Sequence, residues 1–336
     1  MVSATLVRVS RPRRRHVLHV VALVVGFVSL AFLLDRLGWA GIERTVIGTG
    51  TWFVVLAAID LVSVCCDAAG VYCFVRPLAP ISYLRVFAAQ ASGLAINRLT
   101  PGNSLGEPIK VTMLMAHVPE AAAVSAVVMF NVASYVVAIT AIVVGVPLTL
   151  LTLDLPSRVD LLVMIAAGAL LLVAIGLVVL ARRGALSTVI SAASRLRLLS
   201  SARAARWHAR VAAIDGNVGQ FGDATTRRAL LFVVASRLLN MTGSVVILLA
   251  ADIPLTAPLV IGMLSVGILI TWLSNLIPLG LGLADGGNYA LYSVLGSSPG
   301  AGLDFTMINR VRTVVLASMG LTVMAIASLI DRSRRE

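Results

Sequence analysis

Long apolar runs, punctuated by short polar breaks, organise this chain. Six of them, at about 17–34, 51–75, 121–147, 159–181, 229–251 and 305–330, each come near the ~20 residues that a helix needs to cross a bilayer. Two further runs, 81–99 and 258–277, end in breakers. The helical segment after each breaker is short. From Glu107 to His117 there is roughly 16 Å of helix, about half a bilayer. The pattern therefore predicts a re-entrant helix pair at each breaker, down to the midplane and back. The expected fold is an all-α polytopic membrane protein with six transmembrane helices and two re-entrant pairs.

The two breakers are alike. One reads Asn97-Arg98-Leu99-Thr100-Pro101-Gly102-Asn103-Ser104-Leu105-Gly106-Glu107-Pro108, and the other Asn275-Leu276-Ile277-Pro278-Leu279-Gly280-Leu281-Gly282-Leu283-Ala284-Asp285-Gly286-Gly287. Each runs from Asn through Pro and glycines to a carboxylate. An Asn follows 24 residues after each carboxylate, Asn131 and Asn309. Breakers in corresponding places of two hydrophobic halves point to a transporter-like binding site at their junction. Ordinary loop punctuation is the competing explanation.

Composition settles the class. Hydrophobic residues make up 59% of the 336, charged residues 12%, and mean hydropathy is +0.99, which leaves no room for an ordinary soluble surface or a separate soluble domain. Basic residues outnumber acidic ones 27 to 15, and all but Lys110 are arginine. They flank the predicted spans, so membrane topology explains the +12 charge and no nucleic-acid partner is expected. The N-terminal arm holds five arginines, the loop 182–228 nine, and the tail Arg332, Arg334 and Arg335. The opposite loops hold only Arg36, Arg44 and Arg158. Both termini and the middle loop are thus expected in the cytoplasm, with Asp154 and Ser298 outside.

In that orientation the two re-entrant pairs enter from opposite sides. Residues 1–336 become a single integral membrane domain built as an inverted-topology repeat, 17–147 against 159–330, with 182–228 inserted as a basic amphipathic connector. Within it, residues 186–214 pair apolar positions (Val189, Ile190, Ala193, Leu196) with arginines and Trp207, which suits a helix on the inner membrane surface or a solvated linker. The arginines before residue 17 imitate a signal peptide, but the apolar run is long and Asp35-Arg36 separates it from Gly38-Trp39-Ala40, so a retained first helix is expected. Cys65, Cys66 and Cys73 share one apolar helix with no metal-type spacing and read as small buried hydrophobes.

Ionisable groups inside a bilayer need a partner or a watery cavity. Asp60 and Asp67 share one face of the second span. Arg237, with Asn240 near its face, occupies the corresponding span of the other half, and an Asp–Arg tie between the two would neutralise both. Arg310 and Arg312 lie deep in the last span, and Arg98 and Lys110 flank the first breaker. These cations suit an anionic ligand. Glu107 is expected at or near the N-cap of the helix opened by Pro108, and Asp285 as a cap for the helix after the second breaker. The two helix N-termini would then present free N–H groups to a phosphate. The candidate substrate site comprises Asn97, Arg98, Gly102, Asn103, Gly106, Glu107 and Lys110 from the first half. From the second come Arg237, Asn275, Gly280, Gly282, Asp285, Asn288, Arg310 and Arg312. Arg98, Glu107, Arg237, Asp285 and Arg310 are expected to line one cavity where the two breakers meet. Asp60, Asp67, Glu107 and Asp285 are candidates for carrying protons. No protease, hydrolase, P-loop or metal-pair motif occurs, and no metal or cofactor is expected.

The pattern Asn97…Pro101-Gly102…Gly106-Glu107-Pro108, its partner Asn275…Pro278…Gly282…Asp285, and the late Arg310 resemble the flippase-like membrane domain of lysylphosphatidylglycerol synthases, over about residues 17–330. That domain also occurs in stand-alone bacterial and archaeal membrane proteins. The resemblance implies movement of a phospholipid or lipid-linked conjugate between leaflets of a prokaryotic cytoplasmic membrane. It also implies a cation in the helix after the first breaker, which Lys110 fits, and an arginine in the next span, where Asn131 stands instead. No aminoacyl-transferase domain follows, so the chain is expected not to synthesise an aminoacylated lipid. The rival expectations are a membrane-embedded lipid-modifying transferase with Glu107 or Asp285 as general base, and a non-transporting partner of a lipid-synthesising or cell-envelope enzyme.

Overall fold

The computed structural model describes residues 12–151 apart from 101, 103 and 104, isolated positions between 165 and 176, and residues 223–274 and 282–333. Everything regular among them is helical: α1 (Pro12–Leu37), α2 (Trp39–Thr49), α3 (Thr51–Val75), α4 (Tyr83–Leu99), α5 (Gly106–Leu114) and α6 (Glu120–Leu150) in the first part. The second part holds α7 (Asp223–Ala250), α8 (Ala257–Ser274), α9 (Leu283–Val294) and α10 (Pro299–Ser333). Five stretches are long and apolar enough to cross a membrane: Thr51–Val75, Glu120–Leu150, Ala224–Ala250, Ala257–Ser274 and Pro299–Ile330. The molecule is an all-α, polytopic integral membrane protein. Its outer faces carry exposed Val54, Val62, Leu231, Leu238 and Leu329, the surface of a protein solvated by lipid.

Four of the six expected spans reappear among these five. The first falls within α1, a continuous helix from Pro12 to Leu37 whose described side chains include the apolar stretch Leu23–Phe32. The fourth, 159–181, lies outside the described residues except for isolated helical positions, and residues 182–222 of the connector and 1–11 of the N-terminal arm lie outside them altogether. The fifth long stretch is α8, expected as the first arm of a re-entrant pair, yet its 18 residues suffice by length to cross. Residues 35–50, read as an outer loop, largely fold as α2, because Gly38 and Gly50 turn the chain at φ 69° and 57° and leave an apolar helix between them.

Helices meet where small residues let backbones approach, as expected where the surroundings are as apolar as the core. The α3–α7 crossing is built on Ser63 and Ser236, whose hydroxyls lie 2.9 Å apart. At α6–α8, Thr149 and Ser265 make the same contact at 2.9 Å beside Gly145. Gly320 of α10 lies so close to the backbone of Ala91 in α4 that no side chain fits, and Gly302 stands likewise against the α9 backbone at Asn288. Intrahelical bonds from hydroxyl to carbonyl satisfy Thr149, Ser265 and Ser274, which is how polar residues sit in apolar helices.

Candidate functional site

In the first half, α4 and α5 form a tight hairpin around the breaker, with Gly102 at φ 68° in its turn. Gly93 and Gly106 face each other across it, and a Cβ on Gly106 would strike the Gly93 carbonyl and the Asn97 side chain. The amide of Asn97 closes the hairpin: its Oδ1 accepts from the Gly106 N–H at 2.7 Å, and its Nδ2 donates to Glu107 Oε1 at 3.0 Å. Glu107 is therefore not the N-cap. The helix starts two residues earlier than Pro108 suggested, and Asn97 does the capping from the preceding helix. Lys110 Nζ donates to Glu107 Oε1 at 2.8 Å, and Asn131 Nδ2 to Oε2 at 2.8 Å. The buried Lys110 also sits 5.8 Å from the centre of the Phe130 ring, and its stem passes over Gly93. Glu107 is thus held by one cation and two amides.

The second half repeats the theme with other residues. Asp285 Oδ2 accepts from the Gly282 N–H at 3.0 Å, which caps α9 as expected, and from Arg310 Nη2 at 2.7 Å. Arg310 follows Asn309, whereas the residue after Asn131 is uncharged and the cation on Glu107 is Lys110. Asn288 donates to Thr306 at 2.9 Å across α9 and α10. Pro101 and Asn103, and in the second breaker Asn275 and Gly280, lie outside the described residues.

Between the halves lie two further ion pairs. Asp60 of α3 takes Arg312 of α10 through both Nε (2.7 Å) and Nη2, with both side chains buried. Asp67 of α3 takes Arg237 of α7 through a single nitrogen, Nη2, at 2.8 and 3.0 Å to its two oxygens. The expected Asp–Arg tie between corresponding spans is this second pair. Gly243 leaves space for the Arg312 guanidinium. Asn240 donates to Ser63 at 2.7 Å, continuing the polar seam between α3 and α7.

These arginines open onto a cavity of about 210 Å³, walled by α4, α6, α7, α8, α9 and α10. Arg98, Arg237 and Arg312 enter it with Asn240, Asn288 and Asn309, while Val137, Ile268 and Trp272 form an apolar side. Arg98 makes no ion pair or hydrogen bond among the described residues, and Asp60, Asp67 and the other two arginines surround it electrostatically. Glu107, Asp285 and Arg310 do not line this cavity; each belongs to one of the separate knots in the two halves. Of the expected substrate residues, the cavity gathers Arg98, Arg237, Asn288 and Arg312. Ser63, Ser236, Ser244 and Thr271 were not singled out from sequence, although Ser63 lies four residues before Asp67 and so on its helix face.

No curated protein and no solved structure matches the chain. The family model described as lysylphosphatidylglycerol synthase TM region matches residues 19–320. That match spans both breakers, all four ion pairs and the cavity, and with the long apolar helices it supports a membrane lipid-translocating function. The chain belongs to the lysylphosphatidylglycerol synthase TM region family.

Proposed function

We propose that this protein moves a phosphate-bearing, anionic lipid between leaflets, and that the central cavity receives the headgroup. Arg98 carries the argument. A guanidinium with no ion-pair partner among the described residues is costly inside a membrane, and two neighbouring arginines already have theirs. An anionic headgroup would neutralise it, with the amides of Asn288 and Asn309 in the wall to meet phosphate oxygens, while the Asn240 N–H groups are given to Ser63 and to the Ser236 carbonyl. The apolar wall between α6 and α8 suits the start of the lipid tails.

Packing supports the inverted repeat in this reading. If α3, α4, α5 and α6 correspond to α7, α8, α9 and α10, then α4 on α10 is matched by α8 on α6, α5 on α6 by α9 on α10, and α3 on α7 by itself. Such exchange of partners is what a twofold relation between halves requires, with Ser63 and Ser236 at its centre. The re-entrant assignment of α4–α5 and α8–α9 belongs to the same proposal. Cysteine-accessibility labelling tests the topology: a cysteine at Ser201 should label only from the cytoplasm and one at Ser298 only from outside. External labelling at Ser201 would overturn the inversion.

Transport is favoured over a lipid-modifying transferase because Glu107 and Asp285, the candidate bases, are both bound to cations. Reconstitution into vesicles carrying labelled anionic lipid tests the function. The protein should speed exchange between leaflets well above protein-free vesicles; equal rates would refute it.

A further inference from the structure

The four ion pairs differ in what they leave unused. Asp60 and Arg312 meet through two nitrogens, and their side chains are only 4% and 8% exposed. Arg237 gives Asp67 one nitrogen, is itself 30% exposed, and leaves its Nε buried without a partner. Asp67 is 8% exposed and lies behind Arg237, outside the cavity wall. It touches nothing that would enter the cavity, yet it subtracts a charge from it. Among the described residues, three guanidinium groups at the wall and two carboxylates behind them leave one net positive charge facing the interior.

We infer that Asp67 is a charge filter: by holding the cavity at one net positive charge, it makes the site select lipids whose headgroup bears a single negative charge. The inference rests on the anionic-headgroup reading of the cavity. A phosphodiester brings one charge and leaves the filled cavity neutral. A phosphomonoester brings nearly two above its second ionisation, near pH ~6, and leaves an uncompensated charge in a medium that solvates it poorly. A zwitterionic headgroup brings no net charge and leaves Arg98 unmatched. Asp60 contributes the same charge, but its two-nitrogen clasp is buried on both sides between α3 and α10, whereas Asp67 meets one nitrogen of the more exposed Arg237, so Asp67 can change charge at the smaller cost to packing.

Phosphatidic acid and its methyl ester, phosphatidylmethanol, differ in charge and little else, so their relative affinity reads the filter. Binding to the purified full chain is measured at mildly alkaline pH, with the deacylated headgroups as controls. The native protein should prefer phosphatidylmethanol. Asp67→Asn should shift the preference toward phosphatidic acid by about tenfold or more, since one charge has been added within reach of the phosphate. Combining it with Arg237→Gln restores the net charge and should restore the native preference. An unchanged ratio in Asp67→Asn overturns the filter. If Asp67→Asn does not fold, Ser244→Asp, in the cavity wall, tests the rule from the other side. It should weaken phosphatidylmethanol binding at least about tenfold, and unchanged binding overturns the filter. Failure of the native chain to bind either lipid refutes the headgroup reading and the filter with it. Equally tight binding of the deacylated headgroups refutes the lipid reading alone, while the shift in ratio still decides the charge rule.

Discussion

Asp60→Asn is expected to lower stability by about 3–5 kcal/mol, the usual consequence of removing one partner of a buried ion pair. Arg312 would remain in place, with its side chain 8% exposed, and its charge would lose the carboxylate that takes two of its nitrogens. The loss should appear as an earlier midpoint in detergent-induced unfolding of the purified protein. Replacing both partners together, Asp60→Leu with Arg312→Met, should recover most of the loss, because the cost lies in the orphaned charge rather than in the missing attraction. A single variant as stable as the native chain would mean that Arg312 is well solvated, and that the cavity is wetter than its walls indicate.

Arg98→Gln should have the opposite profile. Arg98 has no partner among the described residues, so its loss strands no carboxylate and folding should survive. Binding of an anionic lipid should fall about tenfold to a hundredfold, equivalent to a charge-assisted hydrogen bond of roughly 1.5–3 kcal/mol. Leaflet exchange in reconstituted vesicles should slow in proportion when lipid is below saturation. Arg310→Gln serves as contrast: it strands Asp285, so it should cost stability before it costs lipid binding. Normal exchange by a well-folded Arg98→Gln protein would remove the headgroup from this cavity.

The sequence made the individual polar groups visible and left their pairing open. Residues seven apart on one helix share a face, which placed Asp60 and Asp67 together, but the helices that face them depend on packing between distant segments. Thus the expected Asp–Arg tie, open between the two carboxylates, fell to Asp67 with Arg237, whereas Asp60 met Arg312 through a contact spanning 252 residues. The 24-residue spacing, read only as a mark of the paired breakers, coincides in the first half with a bond from Asn131 to Glu107. In the second half the carboxylate is held by the next residue, Arg310, and Asn309 turns to the cavity. A step of one residue rotates a helical side chain by about 100°, and only the crossing geometry decides which neighbour faces inward. Glu107 falls near the N-cap, in the first turn, and the reason that it is not the cap itself is local. Pro108 is compatible with any position in the first turn, and Asn97 supplies a cap from outside the helix, which a reading of consecutive residues does not reveal.

The central claim is that a lipid phosphate occupies the space in front of Arg98. The most direct test is a high-resolution density map of the protein in nanodiscs containing an anionic phospholipid. A phosphate is expected within hydrogen-bond distance of the Arg98 guanidinium, with the lipid tails leaving along the apolar side formed by Val137, Ile268 and Trp272. A well-resolved cavity holding only water, with lipid confined to the outer surface of the helices, would contradict it.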